Sequence, residues 1–134
     1  MDKCQPGRVL YVEGTAPDED RFAVDIFNYK PWEIVSWEMG NDIALHINPR
    51  FNEDPHVIVR NTCTKGQWEE EERGGGMPIR PGENFIVAVT WQQYGFEIAV
   101  NGWHFATYKY RHPISEMMIM LLWGLSFVKR MKYI

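Results

Sequence analysis

The sequence lacks the features of several common protein classes. Its two cysteines, without a CxxC pair or a Cys/His cluster, exclude a disulfide framework and a zinc site. Free thiols are expected instead, as in a protein made in a reducing compartment. The opening stretch MDKCQPGRVL contains no apolar segment typical of a secretory signal. The longest apolar run, at 117–128, is much shorter than the roughly 20 residues that span a bilayer, so we expect no membrane insertion.

An excess of positive charge is also missing. Fourteen Lys and Arg oppose 18 Asp and Glu, which gives a formal net charge of −4. Binders of nucleic acid or anionic membranes generally carry a basic balance or basic stripes, so neither partner is expected. No cluster of Asp and Asn ligands suggests calcium, and we expect no metal and no cofactor. The aromatic content is high, at 14% with six tryptophans, and exposed aromatic faces suit stacking.

Helical periodicity is nearly absent from the chain. Short runs rich in Val, Ile, Phe, Tyr and Trp recur between turn signals, which is typical of an all-β sandwich or barrel. Asn101-Gly102 between two such runs predicts a type I′ hairpin. No linker or repeat interrupts the pattern, so residues 1–134 are expected to form a single domain. We predict strands at 8–14, 21–28, 42–51, 56–63, 67–73, 84–91, 95–101, 103–110, 117–123 and 127–133.

The segment LHINPRF at 45–51 carries the most information about function. On a strand, His46, Asn48 and Arg50 point to one face, while Leu45, Ile47 and Phe51 point to the other. An imidazole, an amide and a guanidinium in one row can satisfy a hydroxyl as both donor and acceptor, as sugars require. Further along, VRN at 59–61 adds Asn61, and WEEEER at 68–73 adds an indole, carboxylates and an arginine.

These three blocks resemble the signature of galectins, the galactoside-binding lectins. HINPR at 46–50 matches H-x-N-P-R, VRN at 59–61 matches V-x-N, and the stretch 68–73 matches W-x-x-E-x-R. The resemblance extends over nearly the whole chain from Pro6. It implies an antiparallel two-sheet β-sandwich of the jelly-roll type and a galectin-type carbohydrate-recognition domain, which binds lactose, N-acetyllactosamine and longer galactose-containing glycans in an open groove on one sheet.

The resemblance also implies roles for individual residues. His46, Asn48 and Arg50 would hold the axial 4-hydroxyl of galactose. Asn61 and Glu71 would take the 6-hydroxyl, and Trp68 would stack on the apolar face of the ring. Glu71 and Arg73, with Arg50, would reach the neighbouring glucose or N-acetylglucosamine.

Strand alternation conflicts with part of this set. It places Glu71 and Arg73 on one face and Trp68 on the other, so Trp68 must precede the regular strand or lie beside a bulge. Either Glu53 or Asp54, just after the first motif, is expected to orient Arg50 or Arg73.

The segment at 28–42 is longer than usual for the family before the His46 strand. We hypothesise an enlarged groove wall there, with Trp32 or Trp37 as a stacking face. Because the chain begins close to the Pro-Gly turn, we expect the extra N-terminal strand of many galectins to be missing or trimmed. This leaves open whether the protein forms a homodimer or is one domain of a tandem-repeat lectin.

Two other functions compete with a sugar-binding lectin. A glycosidase would need two carboxyl groups, one of them protonated. Glu71 and Asp54 offer such a pair, but Arg73 would keep Glu71 ionised, so we expect no catalysis. The alternative is a galectin-fold interaction module that has altered or lost sugar binding; the intact motif argues against it. Trp91, Trp103 and Trp123 are interpreted as core or scattered surface residues.

The expected partners are β-galactosides on glycoproteins or glycolipids. Because exposed hydrogen bonds each contribute only about 0.5–1.5 kcal/mol, a disaccharide should bind with micromolar to millimolar affinity. The resemblance implies synthesis in the cytoplasm, with a route to the extracellular space that needs no signal peptide.

Overall fold

The computed structural model describes residues 6–28, 42–114 and 118–134. Within them, ten strands form two five-stranded antiparallel sheets, which confirms the predicted all-β sandwich. Sheet A has the order β10-β1-β6-β7-β8, and sheet B has the order β5-β4-β3-β2-β9. The strands are β1 Val9–Thr15, β2 Ala23–Asn28, β3 Asp42–Arg50, β4 Val57–Thr64, β5 Gln67–Trp68, β6 Asn84–Trp91, β7 Gly95–Val100, β8 Trp103–Lys109, β9 Met118–Trp123 and β10 Phe127–Tyr133.

Nine of the ten strands lie close to their predicted bounds; the run at 67–73 differs most. Regular pairing stops at Trp68, and only an isolated bridge between Arg60 and Glu72 continues it. The predicted hairpin is confirmed, since Asn101 and Gly102 have φ values of 52° and 87°. Positive φ at both central residues defines the type I′ turn.

The core lies between the sheets and follows the alternation of the strands. Leu45 and Ile47 on β3 and Phe51 directly after it are buried there, as predicted. The largest fully buried side chains include Trp91 and Tyr108 from sheet A and Phe22 from the segment before β2. Burial of one such side chain stabilises the fold by roughly 1.5–3 kcal/mol. The apolar face of β3 is thereby fixed inward, which turns its polar face outward.

Arg60 is a charged side chain within this core, and it anchors the segment after β5. Only 5% of it is exposed, and its guanidinium donates to the carbonyls of Ile58 at 2.8 Å and Gly74 at 2.7 Å. The guanidinium also lies 5.1 Å from the centre of the Phe105 ring. Burial lowers the pKa of Arg60. The bond to Gly74 holds the chain directly after Arg73 against the sheet.

Candidate functional site

A groove of about 480 Å³ lies on the outer face of sheet B. Six of the residues predicted for sugar binding line it together: His46, Asn48, Arg50, Asn61, Trp68 and Glu71. His46 and Asn61 are direct neighbours across β3 and β4. The row of His46, Asn48 and Arg50 predicted from strand alternation is therefore present. Residues of the second motif (Asn61) and of the third motif (Trp68 and Glu71) line the same groove beside it.

His46 is oriented by a buried carboxylate on the neighbouring strand. Its Nδ1 contacts Oδ1 of Asp25, which lies opposite it on β2. A carboxylate accepts hydrogen bonds, so Nδ1 carries a proton and donates it to Asp25. Nε2 is thereby left for a ligand in the groove. Asp25 is a partner of the candidate site that the sequence did not reveal.

Asn48 and Arg50 hold one another in place. The Asn48 amide donates to the carbonyl of Phe22 at 2.7 Å, and its Oδ1 accepts from Nε of Arg50 at 2.8 Å. Asn48 is almost completely buried. These two bonds fix which end of the amide is the donor, and they leave one N–H and one lone pair for a ligand.

Asn61 is held more completely than Asn48. Its Oδ1 accepts from the backbone N–H of Thr62 at 2.7 Å and from Arg111 at 3.1 Å. Its Nδ2 donates to the carbonyl of Glu69 at 3.0 Å. An amide nitrogen has two N–H groups, so Asn61 retains one donor for a ligand.

Trp68 reaches the groove because the strand register shifts directly after it. Trp68 pairs with Cys63, and the N–H of Glu69 donates to the carbonyl of Thr62. Glu72 then pairs with Arg60. Three positions separate Glu69 from Glu72, but only two separate their partners, so one extra residue is accommodated, as in a β-bulge.

This shift reverses the alternation and resolves the conflict found in the sequence. Trp68 and Glu71 both line the groove, although their spacing would place them on opposite faces of a regular strand. The Trp68 ring lies 4.6 Å from the His46 ring, centre to centre, and 51% of the residue is exposed. An aromatic face is therefore open to a ligand directly beside the polar row.

Beyond Arg50, two glutamates and two arginines form one network of ion pairs. Glu53 accepts from Arg50 at 2.7 Å and from Arg73 at 2.9 Å. Glu71 accepts from Arg73 at 2.7 Å and from Arg50 at 3.3 Å. Glu53 therefore contacts both arginines, and no hydrogen bond in the described part of the chain joins Asp54 to either of them.

The network keeps both glutamates ionised. Hydrogen bonds from Arg73 and Arg50 lower the pKa of Glu53 to about 2. The pKa of Glu71 is also lowered, chiefly by the hydrogen bond from Arg73, and the two carboxylates raise the pKa of Arg73.

Four further residues line the groove that sequence reasoning missed: Arg21, Val59, Glu69 and Trp123. Trp123 was interpreted as a core or scattered surface residue; it is exposed, and the interpretation missed that it lines the groove. It lies on β9, which pairs with β2 only in the folded sheet, so no local pattern could reveal it. Trp91 is in the core, and Trp103 is 80% exposed at the hairpin on sheet A. Trp32 and Trp37 lie outside the described residues.

The described residues also bear on metal binding and on membrane insertion. No group of three or more His, Cys, Asp or Glu in ranges 6–28, 42–114 and 118–134 is arranged to hold a metal ion. In the same ranges, no helix has the length and apolar character needed to cross a membrane.

Comparison with known proteins gives consistent matches. The family model for galactoside-binding lectins matches residues 1–130. Human galectin-7 is 31% identical over 121 residues, which cover 90% of this chain and 82% of galectin-7. A 32 kDa β-galactoside-binding lectin of Haemonchus contortus is 32% identical over 118 residues. The aligned region covers 87% of this chain but only 39% of the nematode protein.

Solved structures show the same fold at lower sequence identity. Galectin-Ib of Xenopus laevis superposes with a TM-score of 0.79 at 18% identity, covering 99% of this chain and 94% of that one. A toad ovary galectin in complex with thio-digalactose superposes with a TM-score of 0.79 at 22% identity, covering 97% and 91%.

Proposed function

Because the chain belongs to the galactoside-binding lectin family, we propose that it binds β-galactosides such as lactose and N-acetyllactosamine in the groove on sheet B. One observation carries this proposal: the polar row of His46, Asn48 and Arg50 lies directly beside the exposed ring of Trp68. A sugar presents both hydroxyl groups and C–H faces, and this juxtaposition offers partners for both.

The polar row supports recognition of the axial 4-hydroxyl. His46 offers Nε2, Asn48 offers one N–H and one lone pair, and Arg50 offers fixed N–H donors. A hydroxyl both donates and accepts, so it can be satisfied by this set. An equatorial 4-hydroxyl, as in glucose, would leave these groups without a ligand partner, at a cost of roughly 1–3 kcal/mol for each buried group.

The indole supports recognition of one face of galactose. With the 4-hydroxyl axial, several C–H groups lie together on that face and form an apolar patch. The open face of Trp68 can cover this patch, and apolar area removed from water stabilises the complex by roughly 25 cal/mol per Å². The remaining N–H of Asn61, with Glu71, would bind the 6-hydroxyl.

The ion-pair network supports contacts with the second sugar. Glu71 and Arg73 lie beyond Arg50, and both are partly exposed. Their charges are already paired, so they offer hydrogen bonds to hydroxyls with little rearrangement. We infer a non-catalytic role, because the lowered pKa of Glu71 argues against its use as a general acid.

We propose that the ligands are carried on glycoproteins and glycolipids. We also propose synthesis in the cytoplasm, which fits the free thiol of Cys63, followed by release to the extracellular space. Oligomeric assembly and membership in a tandem-repeat protein stay predictions.

A calorimetric titration with lactose tests the binding proposal, with sucrose as the negative control. The wild-type protein should show saturable binding to lactose alone, unchanged by EDTA. Trp68→Ala should abolish detectable binding because it removes the apolar cover of the galactose ring. The matched control is Trp103→Ala, which removes an even more exposed tryptophan from the other sheet and should bind lactose like the wild type.

Failure of the folded wild-type protein to bind lactose would contradict the proposal. It would favour the alternative of an interaction module that has kept the fold. Equal loss of binding in Trp68→Ala and Trp103→Ala would instead show that the ligand does not lie on sheet B.

A further inference from the structure

Arg60 is a buried charge that none of the proposed sugar contacts uses. On β4 its neighbours Val59 and Asn61 line the groove, so Arg60 points to the core, where an apolar side chain is expected. No carboxylate of the described residues lies within ion-pair distance of Arg60, and its buried Nε has no hydrogen-bond acceptor among them. Because an apolar side chain would avoid the cost of desolvating this charge, stability alone does not account for the arginine.

The contacts of Arg60 lie on both sides of Arg73. The backbone N–H of Arg60 donates to the carbonyl of Glu72 at 2.9 Å, and the N–H of Glu72 donates to the carbonyl of Arg60 at 2.8 Å. The guanidinium of Arg60 donates to the carbonyl of Gly74 at 2.7 Å. One residue of β4 therefore fixes the main chain directly before and directly after Arg73.

The chain after Arg73 has little stiffness of its own, because residues 74–76 are all glycine. Glycine loses more conformational freedom on folding than any other residue. In the described part of the chain, no backbone–backbone hydrogen bond outside the strands involves these three glycines. The bond from the Arg60 side chain to Gly74 therefore holds the start of a run that would otherwise be loosely held.

Phe105, on β8 of sheet A, holds the arginine in place. The guanidinium of Arg60 lies 5.1 Å from the centre of the Phe105 ring, a distance at which an aromatic ring attracts a cation. The same ring packs against the glycine run, since a Cβ on Gly75 would lie 2.9 Å from one of its carbons. The orientation of Arg60 is thus set from the other sheet and does not depend on the groove residues.

The side chain of Arg73 is held only by exposed ion pairs. It is 46% exposed, and it pairs with Glu53 at 2.9 Å and with Glu71 at 2.7 Å. Such pairs are screened by water and do not fix the main chain that carries the arginine. We propose that Arg60 is a positioning residue for Arg73: by fixing the main chain on both sides of Arg73, it determines how much the second sugar of a galactoside adds to the affinity. This rests on the proposed function.

Comparison of lactose with methyl β-galactoside, which lacks the second sugar, tests the proposal. NMR titration gives the ratio of the two affinities, and in the wild type lactose should bind about 10-fold more tightly, as expected from one or two additional hydrogen bonds. In Arg60→Met the ratio should fall to about one third of the wild-type value. The affinity for methyl β-galactoside should stay within about twofold, because the groups that hold galactose are not changed.

A double-mutant cycle shows whether Arg60 acts through Arg73. Arg73→Met should lower the ratio by itself, and adding Arg60→Met should lower it no further, as expected of two residues that act as one unit. Arg60→Lys keeps a charged donor at this position and should retain most of the ratio.

The matched control is Arg8→Met. Arg8 also lies over an aromatic ring, that of Tyr133 at 4.4 Å, but beside sheet A, so its replacement should leave the ratio unchanged. Circular dichroism establishes that each variant is folded at the temperature of the titration. If Arg60→Met does not fold, Arg60→Gln, which keeps a shorter polar side chain without the charge, takes its place with the same expected loss.

Three results would overturn the proposal: an unchanged ratio in the folded Arg60 variant, an equal loss of affinity for both ligands, or a further loss in the Arg73→Met background. A wild-type protein that binds both ligands equally well would also overturn it, although galactose binding would stand. Absence of lactose binding in the wild type would instead refute the proposed function itself.

Discussion

The site has a buried half and an exposed half, and their polar side chains are held in different ways. At one end, His46 and Asn48 are buried; Asp25 holds His46, and the Phe22 carbonyl and Arg50 hold Asn48. At the other end, Glu53 and Arg73 are partly exposed, and each is paired twice within one network. Arg50 belongs to both halves, because its Nε contacts Asn48 and its terminal nitrogens contact the two glutamates.

The difference predicts where the site tolerates change. A buried group that loses its only partner carries the full cost of desolvation, roughly 1–3 kcal/mol. An exposed ion pair is screened by water, and a second partner can replace the first. The buried half should therefore enforce selectivity for galactose, while the exposed half adapts to different second sugars.

Among changes to the polar groups of the two halves, Arg50→Lys should have the largest effect. A lysine carries one compact ammonium group and cannot reproduce the three directed contacts of the guanidinium. We expect lactose affinity to fall by about 100-fold, or about 3 kcal/mol, because Asn48 loses its fixed orientation together with the direct contact. Calorimetry measures the loss; near-normal affinity would show that positive charge alone suffices at this position.

Substitution of Asp25 should have the second-largest effect on lactose affinity, and it tests the buried half separately. Asp25→Ala removes the acceptor that orients His46, so lactose affinity should fall by about 10-fold or more. Asp25→Asn keeps an oxygen that can accept from Nδ1 and should lose less. Equal losses in both variants would show that the negative charge of Asp25, rather than the orientation of His46, supports binding.

Much of the buried half could be predicted from the sequence, because it depends on local alternation. His46, Asn48 and Arg50 lie on one strand, and a period of two fixes their common face wherever the opposite residues are apolar. Trp68 was harder, since its placement requires the extra residue between Glu69 and Glu72, which only the pairing with β4 reveals.

The partners that complete the site could not be predicted in this way. Asp25 and Trp123 are 98 positions apart in the chain, and they meet because β2 lies between β3 and β9. Nothing near Trp123 in sequence marks it as a groove residue. Glu53 could be anticipated because it follows Arg50 by three positions, which allows a local contact.

Glu53→Gln should have the smallest effect, and it probes the exposed half. Lactose affinity should change by no more than about threefold, because Glu71 still pairs with both arginines. The effect on stability should depend on pH. Folding lowers the pKa of Glu53 to about 2, so its stabilising contribution is fully present above its ordinary pKa of 4.5 and is lost as the pH falls through about 2.

Melting temperatures of the wild type and Glu53→Gln from neutral to acid pH measure this contribution. The wild type should melt higher at pH 7 by a margin that shrinks between about pH 4.5 and pH 2, as Glu53 is protonated. Asp54→Asn is the matched control, since it neutralises the adjacent carboxylate, which has no hydrogen bond to Arg50 or Arg73 among the described residues. A margin that stays constant down to pH 2 would mean that Glu53 does not stabilise the fold through its charge, and the exposed half would then be held by Glu71 alone.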